Sequence, residues 1–338
     1  MPERPQRNLA LELVRVTEAA ALAAGRYMGL GDKEGGDQAA VDAMRAVLST
    51  IDMDGVIVIG EGEKDAAPML YNGERIGNGR PPAVDVAVDP VEGTTLLALG
   101  RPNAIAVVAL AARGSMWDPG PSFYMEKLVV GRAARDAIDL RLGPTENLRR
   151  IARALGRRVQ DLTVFVLEKP RHAALIDEIR AAGARIALHT DGDVAGALLA
   201  ATPGTGIDVL MGIGGTPEGV IAAAAVKALG GALQGRRAPQ SVAERERVLA
   251  SGARLDTILT EEDLVRGEDV FFAASGITDG TLLKGVRYDH DAATTQSVVM
   301  RARSGTIRYI QAIHRLDKLM QFSQVDYLQA HPASLPRS

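Results

Sequence analysis

Between residues 144 and 229 helix-type and strand-type patterns take turns, and this alternation restricts the chain more than any other feature. Helix signals over 145–155, 171–182, 193–201 and 217–229 are separated by apolar runs at 163–167, 184–189 and 207–211, which suit strands better than helices. Elements that alternate in this way pack as a sheet covered by helices, since each apolar face needs a partner. An α/β layer is predicted for this stretch.

The preceding residues follow a different pattern. Residues 8–28, rich in Ala, Leu and Glu, read as a helix that begins at the capping-type Asn8 and stops at Gly29-Leu30-Gly31. A second helix is predicted from 37 to about 49, with GDKEGGD as the turn between the two. Short apolar runs at 56–59, 83–88, 104–110 and 125–130 read as strands. Beyond the alternating stretch, 236–268 is polar and reads as helix with turns, 270–274 has strand character, and apolar–polar stretches follow at 295–301 and 306–313. A soft boundary near residue 150 divides an α+β part, 1–150, from an α/β part, 151–338. With 338 residues, the chain has room for one large domain or two of ordinary size.

Composition removes several classes of function. Hydrophobic residues at 46% and charged residues at 24% fit a compact protein, and a net charge of −3 with scattered basic residues argues against a nucleic-acid partner. No apolar run reaches the roughly 18 residues of a membrane span, and MPERPQRN lacks a secretory core. The absence of cysteine removes disulfides, thiolate nucleophiles and zinc-thiolate sites, and a cytoplasmic address is expected. Homo-oligomerisation is expected because most soluble oligomers are symmetric assemblies of one chain.

Acids are concentrated where strands end. In AVDVAVDPVEGTT, residues 83–95, an apolar strand delivers Asp89, Pro90 stiffens the exit, and Glu92 and Gly93-Thr94 follow. Such a turn can aim two carboxylates and several carbonyl oxygens into one cavity, a hard-oxygen set suited to Mg²⁺ or Mn²⁺; the plain alternative is an Asp-Pro turn with a solvated Glu. A second strand, 56–59, ends in Gly60-Glu61-Gly62-Glu63, where Glu63 also suits a solvated hairpin tip. A third acid, Glu218, falls in GIGGTPEG, read as a strand-to-helix loop whose first helical turn holds Pro217 and Glu218. Capping electrostatics alone could explain Glu218, although a helix start can also face a phosphate or a metal.

Together these segments resemble the metal-dependent sugar phosphatases related to inositol monophosphatase, whose metal motif is Asp-Pro-x-Asp-Gly-Thr. Here it reads Asp89-Pro90-Val91-Glu92-Gly93-Thr94, with Glu in place of the second Asp. That Glu form, with GDKEGGD, VIVIGEGE, APMLY, YMEKL, KPRH, DGDV and GIGGTPEGV in order over about 8–315, is similar to class II fructose-1,6-bisphosphatases. The resemblance implies a layered αβαβα sugar-phosphatase fold, with the N-terminal part binding metal, the C-terminal part binding substrate, and the site between them. It implies hydrolysis of fructose 1,6-bisphosphate to fructose 6-phosphate, in gluconeogenesis or a related cycle, with sedoheptulose 1,7-bisphosphate as the alternative or second substrate.

Carried over position by position, the resemblance implies metal ligands at Asp37, Glu61, Asp89, Glu92 and Glu218. It implies catalytic roles for Thr94, whose hydroxyl helps position the attacking water, for Glu61, and for Lys33 near the reacting phosphate. Substrate contacts are implied at Glu92, Gly93, Thr94, Tyr124, Lys169, Pro170, Arg171, Asp191, Gly192, Asp193 and Gly215. The chemistry agrees, since phosphoryl transfer depends on positioning and neutralisation of charge, and Arg171 with Lys169 suits a second phosphate. Plainer readings stand beside these. Asp37 and Asp193 suit helix N-caps, Lys169 to His172 a basic helix start, Tyr124 a half-buried aromatic, and His172 a structural role. His189, His290, His314 and His331 show no metal-ligand spacing.

Two rival readings come from other mechanisms. Asp191-Gly192-Asp193-Val194 after an apolar run mimics the motif of haloacid-dehalogenase-like phosphatases, where the first Asp is a covalent nucleophile. Ala195 breaks that motif and the Asp89 acids are left without a role. A nucleotide-binding reading of Gly212, Gly214 and Gly215 fails on spacing, because Pro217 takes the position of the last glycine. A non-catalytic sugar-phosphate sensor is the remaining alternative.

Overall fold

The computed structural model describes residues 8–62, 69–321 and 327. The chain opens with helices α1 (Ala10–Gly25) and α2 (Lys33–Leu48), then strands β1 (Asp54–Ile59), β2 (Arg75–Ile76) and β3 (Ala83–Glu92), a short helix α3 (Thr94–Ala98), and strands β4 (Ile105–Ala112) and β5 (Tyr124–Val130). Helix α4 (Pro144–Ala154), β6 (Thr163–Leu167), α5 (Ala173–Ala182), β7 (Arg185–His189), α6 (Asp193–Ala201), β8 (Val209–Gly215), α7 (Thr216–Leu229) and β9 (Ala232–Arg237) follow. The remainder comprises α8 (Val242–Ala250), β10 (Ile258–Thr260), α9 (Glu261–Leu264), β11 (Phe271–Gly276), β12 (Arg287–Tyr288), β13 (Ala292–Arg301), β14 (Thr306–Arg315) and α10 (Leu316–Leu319).

These strands form two sheets. The eight-stranded sheet has the order β12-β13-β11-β4-β3-β1-β2, with β14 also pairing β13, and the six-stranded sheet has the order β10-β9-β5-β8-β6-β7. The chain thus enters the second sheet at β5 and returns to the first at β11. In the first sheet β1 lies parallel to β3, with Ile57 opposite Val86, so the residues that follow both strands emerge at the same end. β4 runs antiparallel to β3 and β11 antiparallel to β4.

Alternation along the strands sorts the side chains into three cores. Val84, Val86 and Val88 of β3 face α1 and α2, while Ala87 and the odd-numbered residues of β4 face α6 and α7. Met125, Val129 and Phe165 reach the same middle core from the second sheet, and Leu128, Val130, Val164 and Val166 face away from it toward α4 and α5. The layer order is therefore αβαβα, the expected fold class. Helices α6 and α7 lie between two sheets and have no solvent face to spare. Their runs of alanine are buried nearly throughout, and small side chains let both sheets come close.

Several boundaries depart from the sequence reading. Helix α1 starts at Ala10 and not at Asn8; the Asn8 carboxamide instead accepts from the Ala10 N–H at 3.0 Å. GDKEGGD is a cap and first turn of α2, because Asp32 accepts from the Gly35 N–H at 2.8 Å, and Asp37 lies inside the helix and is not its cap. Likewise Gly192, in the left-handed region, precedes α6, and Asp193 is its first residue. GIGG is the end of strand β8 that runs directly into α7, so no loop separates them. The polar segment 236–268 carries the end of β9 and all of β10 as well as helix, and β10, at the edge of its sheet, tolerates polar residues. Glu63 and His331 lie outside the described residues. Among the described residues no helix is long and apolar enough to cross a membrane.

Candidate active site

A cavity of about 470 Å³ opens where β1, β3 and the starts of α3 and α7 converge, and its wall includes Asp37, Glu61, Asp89, Glu92, Gly93, Thr94, Asp191 and Glu218. Each acid arrives by its own route. Asp37 stands on the second turn of α2, one turn beyond the exposed Lys33. Glu61 follows β1 and Asp89 lies on the parallel neighbour β3, which explains their shared end of the sheet. Strand β3 does not stop at Asp89 as the sequence suggested. It bulges between Asp89 and Glu92, and Glu92 resumes pairing opposite Ile105.

The bulge is held locally, with Asp89 Oδ1 accepting from the Val91 N–H at 3.1 Å. Gly93 then turns the chain with φ of 90°, a left-handed conformation that a side chain would strain, and α3 begins with Thr94 at the cavity wall. Glu92 reaches across the molecule, where its Oε1 accepts from the Val194 N–H at 2.6 Å. Glu218 folds back over Gly215 so closely that a Cβ there would stand 1.7 Å from its Oε2. The same holds one residue earlier, where a Cβ on Gly214 would stand 2.1 Å from Asp193 Oδ2. These glycines make room for carboxylates.

Burial and mutual repulsion disfavour charge throughout this set. Burial, then Asp37, raises the Glu61 carboxyl to about 7. Burial raises Asp89 well above its ordinary value, reinforced by Glu92, Glu61 and Glu218. Glu92 is raised by burial and by Glu218 and Asp193, against the opposing pull of the Val194 N–H. Burial raises Asp37 and Glu218 too, with Lys33 and Lys127 respectively working the other way. Glu218 Oε2 is buried without a hydrogen-bond partner. No lysine or arginine stands among the described residues lining the cavity.

Such a set of oxygens lacks the positive charge that buried carboxylates require. A lining whose charged groups are all carboxylates, one of them with an orphaned acceptor, fits a hard divalent cation. Among the described residues no three acids or histidines stand in ready-made ligating geometry; the carboxylates share a cavity, not a closed shell.

The other expected contacts form a second group. Arg171 donates through Nε and Nη2 to the Ile213 carbonyl, at 3.0 and 2.9 Å, and its guanidinium lies 5.1 Å from the Tyr124 ring centroid. Lys169 and Pro170 lead into this arginine through a single 3₁₀ turn, Pro170–His172, which replaces the expected start of the α-helix at 171. His172 is buried and structural, as read from the sequence. The Ile213 N–H donates to its Nε2 at 2.7 Å, so the ring proton sits on Nδ1, which donates to the Leu167 carbonyl at 2.6 Å. His189 stacks on Phe165 and His314 pairs with Thr295, and neither lines the cavity.

Two residues of this region escaped the sequence reading. Lys127, on the central strand β5, is only 2% exposed, pairs with Asp193, and donates to the Gly215 carbonyl at 2.5 Å. Its signal is a lone lysine inside an apolar strand run. Glu244 of α8, also buried, accepts through Oε1 from the Phe123 and Tyr124 N–H groups at 2.8 and 3.0 Å. Nothing in the polar segment around it marks that role.

Comparison with known proteins shows the family. Residues 7–314 match the family described as bacterial fructose-1,6-bisphosphatase, glpX-encoded. The class 2 fructose-1,6-bisphosphatase of Haemophilus influenzae is 48% identical over 94% of this chain and 99% of its own length. Fructose-1,6-bisphosphatase 1 class 2 of Escherichia coli K12 is 46% identical over 96% of this chain and 100% of its own. A crystal structure of the extragenic suppressor protein SuhB from Bartonella henselae aligns over 57% of this chain and 73% of that one, at 15% identity and a TM-score of 0.34, too low to bear on the fold. The chain is an enzyme of the phosphoric monoester hydrolase class. More particularly, it belongs to the bacterial class 2 fructose-1,6-bisphosphatase family.

Proposed function

We propose that the acid-lined cavity is the place where fructose 1,6-bisphosphate loses its 1-phosphate to water, giving fructose 6-phosphate and phosphate. The observation that carries this reading is the convergence of Asp37, Glu61, Asp89, Glu92 and Glu218 on one cavity, in a chain whose family is that of fructose-1,6-bisphosphatases. A covalent aspartyl-phosphate at Asp191 is not favoured, since it would leave those acids without a purpose.

Asp37, Glu61, Asp89, Glu92 and Glu218 would hold Mg²⁺ or Mn²⁺. When bound, such a cation supplies Lewis acidity toward the phosphoryl group and makes a nearby water a readier nucleophile. The protein's own groups do the rest. Thr94, at the turn made by Gly93, offers a hydroxyl that can orient the attacking water, and Glu61, which lines the same cavity, would take a proton from that water. Asp191 can accept from sugar hydroxyls at the cavity wall, and Asp193, paired with Lys127, stands behind it. Arg171, braced by Ile213 and set against Tyr124, offers with Lys169 a positive fork for the distal phosphate. Lys33, one turn from Asp37, would add positive charge near the reacting phosphate.

A cytoplasmic address and assembly as a homo-oligomer belong to the same reading, the first supported by the cysteine-free composition. Phosphate release from fructose 1,6-bisphosphate, sedoheptulose 1,7-bisphosphate and sugar monophosphates, with Mg²⁺, Mn²⁺ or chelator, is the test. Turnover of fructose 1,6-bisphosphate that chelator abolishes is expected. Turnover indifferent to chelator would overturn the cation, and a preference for monophosphates would overturn the substrate.

A further inference from the structure

The geometry points to Lys127 as a positioning residue that ties the starts of α6 and α7 together and thereby sets the cation affinity of the cavity, an inference that rests on the cation reading above. Its stem rises from the middle of β5 and passes Gly219 of α7 at van der Waals range, since a Cβ there would stand 3.5 Å from Lys127 Cδ. At the end of the stem the ammonium meets two partners at the starts of different helices. One is the carboxylate of Asp193, the first residue of α6, and the other is the carbonyl of Gly215, which immediately precedes α7.

Each helix start carries something the cavity uses. The residue after Asp193 donates its N–H to Glu92, and three residues beyond Gly215 stands Glu218, whose Oε2 has no hydrogen-bond partner. A continuous chain of contacts therefore runs from Glu92 through Val194, Asp193, Lys127 and Gly215 to Glu218. Lys127 is its middle link. A buried amine that held only a salt bridge would stabilise the fold and nothing more. The bond to the Gly215 carbonyl adds a second tether, and that tether fixes the distance between the two cavity carboxylates. Groups that orient metal ligands without touching the metal commonly change affinity by about 10–100-fold when removed.

The test separates the tether from the salt bridge. Melting temperature is followed as Mn²⁺ is titrated into wild type, Asp193→Asn, Lys127→Met and the double variant Lys127→Met/Asp193→Asn. The double variant removes both members of the ion pair, so it keeps the fold if Lys127→Met alone does not. Asp193→Asn retains the bond to Gly215 while removing a negative charge near Glu92 and Glu218, so its Mn²⁺ midpoint should rise clearly less than that of the double variant, which should fold and yet need about tenfold more Mn²⁺. A folded double variant with the wild-type midpoint overturns the role given to Lys127. So does Asp193→Asn shifting as far as the double variant, since the effect then follows the Asp193 charge. A wild type that Mn²⁺ does not stabilise at all overturns the cation reading itself and the tether with it.

Discussion

The Val194 N–H donates to Glu92 Oε1 across 2.6 Å, joining positions 102 residues apart. Helix α6 starts behind Gly192, which has no side chain to cap it, so a carboxylate from another layer satisfies one of its free N–H groups. Glu92 thus serves the fold and the cavity together, and substitutions should separate the two. Glu92→Gln keeps an acceptor for Val194 and is expected to melt near wild type while losing turnover by about 100-fold or more. Glu92→Ala should lose turnover and, in addition, about 1–3 kcal/mol of stability from the unsatisfied N–H. Calorimetry alongside phosphate release checks both, and a Glu92→Gln enzyme with wild-type turnover would show that the charge is not used.

A pH dependence follows from Glu61. Burial lifts its carboxyl from the ordinary 4.5 to about 7, so the folded protein holds this proton more tightly than the unfolded chain does. Its contribution to stability is full below about pH 4.5 and is lost as pH rises through about 7. Without divalent cations, Glu61→Gln should match wild type in melting temperature at pH 4.5 and exceed it by pH 8. With Mn²⁺ the order at pH 8 should reverse, because the anion then binds the cation. A difference that does not change with pH would mean that Glu61 is not buried as described.

The acids of the cavity were legible because strands rich in Val and Ile end in Gly, Pro and carboxylates, and solvated turns alone would not require that combination at more than one strand end. The layered class was legible from the alternation of elements over 144–229 and from the family resemblance. Sheet membership was not. β11 pairs with β4, some 160 residues away in sequence, and no local pattern encodes that pairing. The caps are ambiguous for a different reason. Asp37 suits a cap in the sequence, and only the backbone conformation puts the cap at Asp32 instead. Lys127 and Glu244 were not legible because a buried charge looks, in sequence, like any other charge. What distinguishes them is a partner distant in sequence.

His172 links the arginine fork to the sheet. Removing the ring in His172→Ala leaves the Ile213 N–H without its partner, takes one of two donors from the Leu167 carbonyl, which still accepts from the Lys169 N–H, and opens a cavity beside Gly212, at a cost of about 2–4 kcal/mol. Because Arg171 is braced on the Ile213 carbonyl, the fork should loosen as well. KM for the bisphosphate is expected to rise more than kcat falls, in steady-state assays below the variant's melting temperature. A change in kcat alone would detach this histidine from substrate binding.

Gly215 stands against the Glu218 carboxylate with no room for a methyl group. Its φ of −68° is open to any residue, so Gly215→Ala strains contacts and not the backbone. The alanine should push Glu218 off its present position while α7 stays folded. Circular dichroism is expected to match wild type, with the stabilisation by Mn²⁺ lost. Retention of that stabilisation would show that Glu218 is free to swing and still serve.

Glu244 controls the other wall. It is a buried carboxylate that accepts from the N–H groups of Phe123, Tyr124 and, at 2.9 Å, Gln240, so it pins the entrance of β5 to α8. Hydrogen bonds to a charged acceptor are worth about 1.5–3 kcal/mol each, and Glu244→Ala gives up all of these at once. A loss of about 3 kcal/mol or more is therefore expected in urea unfolding. Tyr124 then loses the anchor that holds it beneath Arg171, and KM should rise even at temperatures where the variant is fully folded. Glu244→Gln keeps one acceptor oxygen for Phe123 and Tyr124 and exchanges the other for a donor facing the Gln240 N–H. It should therefore fall between wild type and alanine in stability while restoring most of KM. If the glutamine variant bound substrate as poorly as alanine, the anchoring of Tyr124 by Oε1 would be the wrong explanation.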